Sequence, residues 1–250
     1  MLKQLYDKSR LGFSILWIVI YCVLMSAGDS LSAAAGIEKV LTLPIGLFLA
    51  ATLFCFLKKH RLTSEYGLCR AKTAPSAMLY YLPAILMFTA NLWHGVSVRI
   101  GAMETVLYIL SMFCVGFLEE VIFRGLLYRA MAADNPKSAV IVSSLTFGIG
   151  HIVNLFNGSE AEMFVTLLQV FYAAAAGFMF VMIYVKTDSL IGCIVIHGVF
   201  NALSVFAKEP SGTAPRIVSC ILLMLISGGY AVYLACSMKK SNETKSQFRV

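Results

Sequence analysis

The chain has 250 residues, of which 59% are hydrophobic and only 13% are charged, and its mean hydropathy is +0.82. A soluble domain carries about 25% charged residues, and a soluble globule of this size could not bury so much apolar surface. The composition therefore excludes a water-soluble fold and indicates a membrane protein. The net charge of +7 does not indicate nucleic-acid binding, because the Lys and Arg residues occupy short gaps between apolar runs.

The apolar runs predict an all-α fold, a polytopic membrane bundle of about eight transmembrane helices. A helix needs about 20 mostly apolar residues to cross the hydrocarbon core. The stretches that come close to this length are 11–28, 38–57, 76–95, 103–130, 138–156, 162–185, 189–207 and 216–237. The first run is longer than the apolar part of a secretory signal, about 7–15 residues, so we interpret it as a retained span.

The positive charges predict how the bundle is oriented. Eight spans put both termini on one side, and 15 of the 20 Lys and Arg residues lie on that side. The other side holds four, which are Lys39, Arg99, Lys208 and Arg216. Because cytoplasmic loops are enriched in Lys and Arg, we expect both termini in the cytoplasm of a multi-pass protein of the cell membrane.

Ionisable side chains inside the predicted spans are the feature that points to a function, because a charged group is costly in the bilayer unless it is paired or hydrated. Glu119, Glu120 and Arg124 lie in the fourth span. His151 lies in the fifth span and His197 in the seventh. Groups on three different helices are therefore expected to meet inside the bundle.

Helical spacing suggests a separate role for each of these groups. Glu120 and Arg124 are four residues apart and share one helix face, which predicts an intrahelical ion pair with a structural or tuning role. Glu119 points about 100° away from Glu120, so it is free to face a cavity and act as a general base. His197 and Asn201 also share a face, where both can donate hydrogen bonds to a developing oxyanion.

The position of Glu119 along its span predicts where the chemistry takes place. Glu119 lies 14 residues after Thr105, which is about 21 Å along a helix, and this predicts a cut near the cytoplasmic side. The glycines beside the histidines, Gly148, Gly150 and Gly198, are expected to leave room for a substrate backbone.

Three motifs resemble those of the CPBP family, the CAAX protease and bacteriocin-processing enzymes, also called type II CAAX prenyl endopeptidases. They are Glu-Glu-x-x-x-Arg at 119–124, Phe-x-x-x-His at 147–151 and His-x-x-x-Asn at 197–201, in this order on successive spans. The resemblance covers about 105–207. It implies an intramembrane endopeptidase that hydrolyses a peptide bond of a membrane-associated peptide or protein.

The resemblance also implies residue roles and a division of the chain. Glu119 would activate a water that His151 helps to hold, and His197 and Asn201 would support the oxyanion of the tetrahedral intermediate. Glu120 and Arg124 would tune this site. The implied parts are family-variable N-terminal transmembrane helices at 1–100, a catalytic core at 101–210, and a last transmembrane helix with a polar cytoplasmic tail at 211–250.

The metal requirement is a separate question. The sequence contains no His-Glu-x-x-His motif, in which one helix supplies two zinc-binding histidines, so we expect no cofactor. The alternative is a catalytic zinc on Glu119, His151 and His197 with an open fourth position. Other protease designs are absent from the sequence, because there is neither a Gly-x-Ser-x-Gly motif nor a pair of aspartates within the spans.

Several functions remain open at this point. The substrate is a bacteriocin-like, pheromone-like or CAAX-like peptide, and the lack of a eukaryotic retention signal favours a bacterial peptide over a prenylated one. A second function is a non-catalytic membrane scaffold or a bacteriocin self-immunity protein. A third is a proton-coupled transporter, because buried carboxylates and histidines also form proton relays, although inverted repeats are not visible. Nucleic acid is not an expected partner.

Overall fold

The computed structural model describes residues 2–156 and 162–247. Apart from an isolated bridge between Val96 and Ala207, the regular structure of this part is helical, which confirms the all-α membrane bundle. The remaining positions, Met1, 157–161 and 248–250, lie outside the described residues, so the predicted parts 1–100 and 211–250 are described except at their outermost ends.

The helices follow one another with short connections. In chain order they are α1 (Leu2–Lys8), α2 (Arg10–Ala35), α3 (Thr42–Lys59), α4 (Leu82–Phe88), α5 (Ala102–Glu119), α6 (Arg129–Ala132), α7 (Pro136–Gly150), α8 (Met163–Thr187), α9 (Ile191–Leu203) and α10 (Thr213–Gln247). A π-helical segment, Glu120–Tyr128, joins α5 to α6. Four 3-10 segments complete the helical structure, at Pro75–Tyr81, Thr89–Leu92, His151–Leu155 and Ser204–Phe206.

Six helices of the described chain are long and apolar enough to cross a membrane. They are Arg10–Ala35, Thr42–Lys59, Ala102–Ala132, Pro136–Leu155, Met163–Thr187 and Thr213–Lys239. The predicted span at 189–207 corresponds to a shorter apolar helix, Ile191–Phe206. The count of eight spans is therefore not confirmed.

The predicted span at 76–95 is not one helix. Leu79, Tyr80 and Tyr81 have φ angles of 48°, 50° and 59°, which belong to the left-handed region and end the helical path. Pro83 follows in the first turn of α4, where a helix accepts proline because the backbone N–H groups there have no partner within the helix. Hydropathy alone does not reveal such a break.

Polar contacts between loops define one end of the bundle, which we call the basic end. The hydroxyls of Tyr6 and Tyr66 are 2.8 Å apart, and Asp188 pairs with both Lys72 and Arg129. These contacts join α1 to the loop after α3, and they join that loop and the start of α6 to the residue that follows α8. The segments that the charge distribution predicts to be cytoplasmic therefore meet at this end.

A second set of ion pairs defines the opposite end, which we call the far end. Lys39, between α2 and α3, lies 2.8 Å from the carboxylate of Asp29. Glu209, between α9 and α10, lies 3.5 Å from the guanidinium groups of Arg99 and Arg216. Although burial opposes the charge of Lys39, the carboxylate of Asp29 raises the pKa of the Lys39 ammonium.

Two helices cross closely where the acidic pair lies. A Cβ atom on Gly116 of α5 would be 2.8 Å from the backbone nitrogen of Gly198 on α9, so the two backbones are nearly in contact. Small residues permit such close approach between helices in membranes. The crossing places Glu119 and Glu120, at the end of α5, against His197 of α9.

The glycines beside the histidines have a different role from the one expected. A Cβ on Gly198 would collide with the ring of Phe113, and one on Gly148 with Ala174, so both glycines serve helix packing. Only Gly150 has open space around it, and it lines the central cavity. The prediction that all three make room for substrate is wrong for Gly148 and Gly198.

Candidate active site

The two carboxylates lie where the helix geometry changes. Glu119 is the last residue of α5, and Glu120 is the first residue of the π-helical segment. Every residue of that segment is buried. The side chain of Glu119, in contrast, retains 13% exposure. π-helical segments are rare and occur often at functional sites, so this transition marks the position independently of the motif.

His197 lies between the two carboxylates. Its Nδ1 atom is 2.8 Å from Glu120 Oε1, and its Nε2 atom is 3.3 Å from Glu119 Oε2. A neutral imidazole has one N–H donor, whereas an imidazolium has two. His197 can therefore donate to both carboxylates only in its protonated form.

Arg124 completes this cluster. Its Nη1 atom donates to Glu120 Oε1 at 3.1 Å, the pairing that the four-residue spacing predicts, and both side chains are fully buried. The guanidinium also lies over the ring of Phe147, 4.0 Å from its centroid. Glu120 Oε2 and two nitrogens of Arg124 have no hydrogen-bond partner among the described residues. Because the desolvation of such a pair is costly, the pair is better explained by a role at the site than by a gain in stability.

Tyr21 of α2 contacts the Glu119 carboxylate oxygen that does not face His197. The Tyr21 hydroxyl donates a hydrogen bond of 2.6 Å to Glu119 Oε1. This bond occupies one carboxylate oxygen and leaves Oε2, which faces His197. The two oxygens of Glu119 therefore have different surroundings, because Oε1 accepts the Tyr21 hydrogen bond and Oε2 does not.

His151 and His197 both pack against aromatic rings. The ring of Phe147 contacts His151 edge to face, with centroids 5.2 Å apart, and His197 in the same manner at 5.6 Å. Phe180 stacks on His197 at 5.4 Å. His151 Nδ1 lies 3.1 Å from the carbonyl oxygen of Phe147. Since a carbonyl only accepts, this nitrogen carries the hydrogen, and Nε2 is left as an acceptor.

The four residues predicted to be catalytic line one cavity of about 550 Å³. They are Glu119, His151, His197 and Asn201. Within the part of the chain that the structure describes, the side-chain amide of Asn201 forms no hydrogen bond, so it is available to a ligand. Glu120 and Arg124 lie behind the cavity wall and do not line it. A volume of this size lies in the usual range for ligand sites, about 300–1,000 Å³.

Sequence reasoning missed Tyr21 and Phe180. A buried tyrosine hydroxyl needs a hydrogen-bond partner. The position of Tyr21 in the first span therefore indicates that its hydroxyl bonds to a polar group of another helix. The chain has 11 tyrosines, however, and no spacing connects Tyr21 to the three motifs. Phe180 lies in an unbroken apolar run and carries no such signal.

The zinc alternative does not fit this arrangement. Across residues 2–156 and 162–247, no three His, Cys, Asp or Glu side chains are grouped so that they could hold a metal ion. No step of the chemistry is therefore derived through a metal.

A comparison with protein families gives a match over the segment that contains most of this site. Residues 101–203 match the family model described as type II CAAX prenyl endopeptidase Rce1-like. The matched segment contains both carboxylates, both histidines and Asn201, whereas Tyr21 lies outside it. No curated protein and no solved structure gives a significant match.

Proposed function

Because the chain belongs to the CPBP family of type II CAAX prenyl endopeptidase-like proteins, which is a protease family, we propose that it is an intramembrane endopeptidase whose nucleophile is a water activated by Glu119. The observation that carries this proposal is the Glu119 carboxylate. Tyr21 binds one of its oxygens, and the other faces a cavity shared with His151 and Asn201.

The first step is the attack of water on the peptide carbonyl. A water beside Glu119 Oε2 gives one proton to that oxygen while its own oxygen bonds to the carbonyl carbon. His151 Nε2 accepts the second hydrogen of the water and orients it. A positioned general base of this kind accelerates such a step about 10²–10⁴-fold.

The second step is the collapse of the tetrahedral intermediate. The carbonyl oxygen becomes an oxyanion, and hydrogen bonds from the Asn201 amide and from Nε2 of the doubly protonated His197 stabilise it. The carbon–nitrogen bond then breaks, and Glu119 returns its proton to the leaving amine. The products are a new carboxylic acid and a new amine, which become a carboxylate and an ammonium group when the acid gives its proton to the amine, and the enzyme recovers its starting state.

Glu120 and Arg124 act through His197. The Glu120 carboxylate holds Nδ1 of His197, which turns Nε2 towards Glu119 and the cavity. Arg124 offsets the negative charge of Glu120 in a region without solvent. They are positioning residues, because neither lines the cavity.

The substrate in this proposal is a membrane-associated peptide or protein, and the lipid bilayer is the medium in which the protein meets it. The chain is a multi-pass membrane protein by its helices and its family; we place it in a bacterial cell membrane. A bacteriocin-like or pheromone-like peptide is preferred to a prenylated one, and no cofactor takes part.

The test is proteolysis of a quenched-fluorescent peptide library by the detergent-purified full chain. Wild type is compared with Glu119→Gln and with Glu65→Gln, a matched control whose carboxylate pairs with Arg10 at the basic end. We expect cleavage by wild type and by the control, none by Glu119→Gln, and no effect of a strong zinc chelator. Cleavage that stops with the chelator and returns with zinc would overturn the mechanism but keep the reaction class.

A further inference from the structure

The end of α3 carries a run of basic residues at the basic end of the bundle. Lys58 and Lys59 are the last two residues of the helix, and His60 and Arg61 follow them. Lys58, Lys59 and Arg61 are exposed, and so is Lys8, the last residue of α1. We call Lys8, Lys58, Lys59 and Arg61 the cationic rim.

The helices that carry the rim pack side by side at this end. Phe13 of α2 stacks on Phe56 of α3, with ring centroids 5.0 Å apart. Tyr6 of α1 contacts both rings edge to face, at 5.4 and 5.8 Å. These contacts bring the end of α1 and the end of α3 into the same region of the surface.

Among the described residues, no acidic side chain pairs with the rim. The two carboxylates nearest to it in sequence, Asp7 and Glu65, pair instead with Lys3 and Arg10. The dipole of a helix favours lysines at its C-terminus, but this interaction leaves their ammonium groups exposed. The positive charge of the rim is therefore available to an anion from outside the chain.

The two lysines of the rim continue a face of α3 that is turned to lipid. From Leu47 onwards the exposed residues of α3 repeat at helical spacing and form one stripe. They are Leu47, Phe48, Ala51, Phe54, Cys55, Lys58 and Lys59. Phe48 is 67% exposed, and an apolar side chain this exposed on a spanning helix contacts acyl chains. The stripe is thus apolar up to its last turn, where it becomes cationic.

The length of α3 places the end of this stripe at the level of the lipid headgroups. The helix has 18 residues and is apolar enough to span a membrane, and it is about 27 Å long, close to the hydrocarbon thickness of about 30 Å. Phe48 lies 11 residues before Lys59, or about 17 Å along the helix. This distance is close to the thickness of one hydrocarbon leaflet, about 15 Å.

We propose that the cationic rim binds the headgroup of an anionic phospholipid whose acyl chain lies along the exposed stripe of α3. A phosphodiester headgroup is the anion that a bilayer offers at this depth. Clusters of Lys and Arg beside a membrane span bind such lipids, and each cation strengthens binding about fivefold. The rim lies outside the matched segment 101–203, so the lipid is a ligand of the N-terminal helices of this chain.

The test uses the detergent-purified full chain and short-chain phosphatidylglycerol, with phosphatidylcholine of the same acyl chains as the neutral lipid. Native mass spectrometry counts the bound lipid over a titration. One variant combines Lys58→Gln with Lys59→Gln, and a second combines Lys58→Arg with Lys59→Arg and so keeps both charges. The matched control combines Arg99→Gln with Lys208→Gln, which removes two exposed cations from the far end.

We expect wild type to bind phosphatidylglycerol saturably and more tightly than phosphatidylcholine. The glutamine pair should weaken this binding about 25-fold, or fivefold for each cation lost. The arginine pair and the far-end control should bind as wild type does. Equal affinity for the two lipids, or equal weakening in the glutamine pair and the far-end control, would overturn the proposal.

Inorganic phosphate separates a lipid site from a site for a free anion. It should not displace phosphatidylglycerol, because it has no acyl chain to lie on the stripe, and displacement would overturn the proposal. If the glutamine pair does not fold, Lys8→Gln combined with Arg61→Gln replaces it with the same expected result. Binding is measured without a substrate, so the outcome does not depend on the proposed endopeptidase function.

Discussion

Tyr21 on α2 and Glu119 at the end of α5 share a hydrogen bond of 2.6 Å. Tyr21 lies outside the matched segment 101–203, so a helix of the N-terminal part contributes directly to the site. In the proposed mechanism, the hydroxyl fixes Oε1 and thereby leaves Oε2 to the water. The N-terminal helices are thus part of the catalytic framework in this account and not only an anchor.

Removal of this hydroxyl should slow the reaction without unfolding the protein. A hydrogen bond to a charged group contributes about 1.5–3 kcal/mol, so we expect Tyr21→Phe to lower kcat by roughly tenfold to a hundredfold. KM should change little, because the hydroxyl binds the base and not the substrate. The measurement is kcat and KM on a cleaved peptide, with the exposed Tyr80→Phe as control. A fall in kcat shared by both variants would contradict the assignment.

The buried pair of Glu120 and Arg124 should be sensitive to the loss of either partner. Removal of one partner leaves an uncompensated buried charge, which costs about 3–5 kcal/mol, so Arg124→Leu should lower the thermal midpoint strongly. Thermal unfolding in detergent measures this effect. Arg99→Gln is the control, because Arg99 is half exposed and its contact with Glu209 is 3.5 Å long, and such pairs contribute about 0–1 kcal/mol. If both variants lowered the thermal midpoint equally, the buried pair would contribute no more to stability than the exposed one.

The close crossing of α5 and α9 should not accept a side chain at Gly116. In Gly116→Ala the new methyl group would meet the backbone of Gly198 at 2.8–2.9 Å, so the helices must separate and Glu119 and Glu120 must move relative to His197. Overpacking of this kind costs about 1–3 kcal/mol, and activity should fall with stability.

The control for this crossing is Gly228→Ala on α10, where no atom lies within 4 Å of the new methyl group. This variant should match wild type in thermal midpoint and in cleavage rate. If Gly116→Ala also matched wild type in both measurements, the crossing would not be what positions the acidic pair.

The ion pairs of Asp188 should make the basic end sensitive to acid. Burial opposes the Asp188 carboxylate, but Lys72 and Arg129 outweigh this effect and lower its pKa. A lowered pKa in the folded state means that the stabilisation is complete above the ordinary value, about pH 4, and is lost as the pH falls through the folded value. Asp188→Asn should therefore be less stable than wild type near neutrality, by up to about 1 kcal/mol for groups this exposed.

Thermal midpoints across pH measure this effect, and the exposed Asp134→Asn is the control. The difference between Asp188→Asn and wild type should shrink on acidification. A difference that grew as the pH fell would contradict the assigned direction of the pKa shift.

Much of the fold and of the candidate site follows from the sequence for clear physical reasons. A charged side chain such as that of Arg124 in an apolar span needs a partner of opposite charge. The four-residue spacing identifies Glu120 as that partner. The order of the motifs on successive helices brings Glu119 and His197 into contact. These predictions depend on hydropathy and helical period, which are local properties of the chain.

The features that were not predicted depend on tertiary structure. The break in the helix at Leu79–Tyr81 occurs inside an apolar run, where hydropathy does not indicate the end of a helix. The hydrogen bond from Tyr21 joins residues 98 positions apart. Gly198 was expected to admit substrate, but it packs on Phe113, because the direction that a glycine faces depends on which helix lies beside it.

The most direct test of the central claim is the single-turnover cleavage rate of Glu119→Gln on a peptide that wild type cleaves. Loss of the general base should reduce this rate by about 10²–10⁴-fold, while Glu65→Gln keeps the wild-type rate and circular dichroism shows the same helix content for all three proteins. A Glu119→Gln variant that cleaves at the wild-type rate would contradict activation of water by this carboxylate.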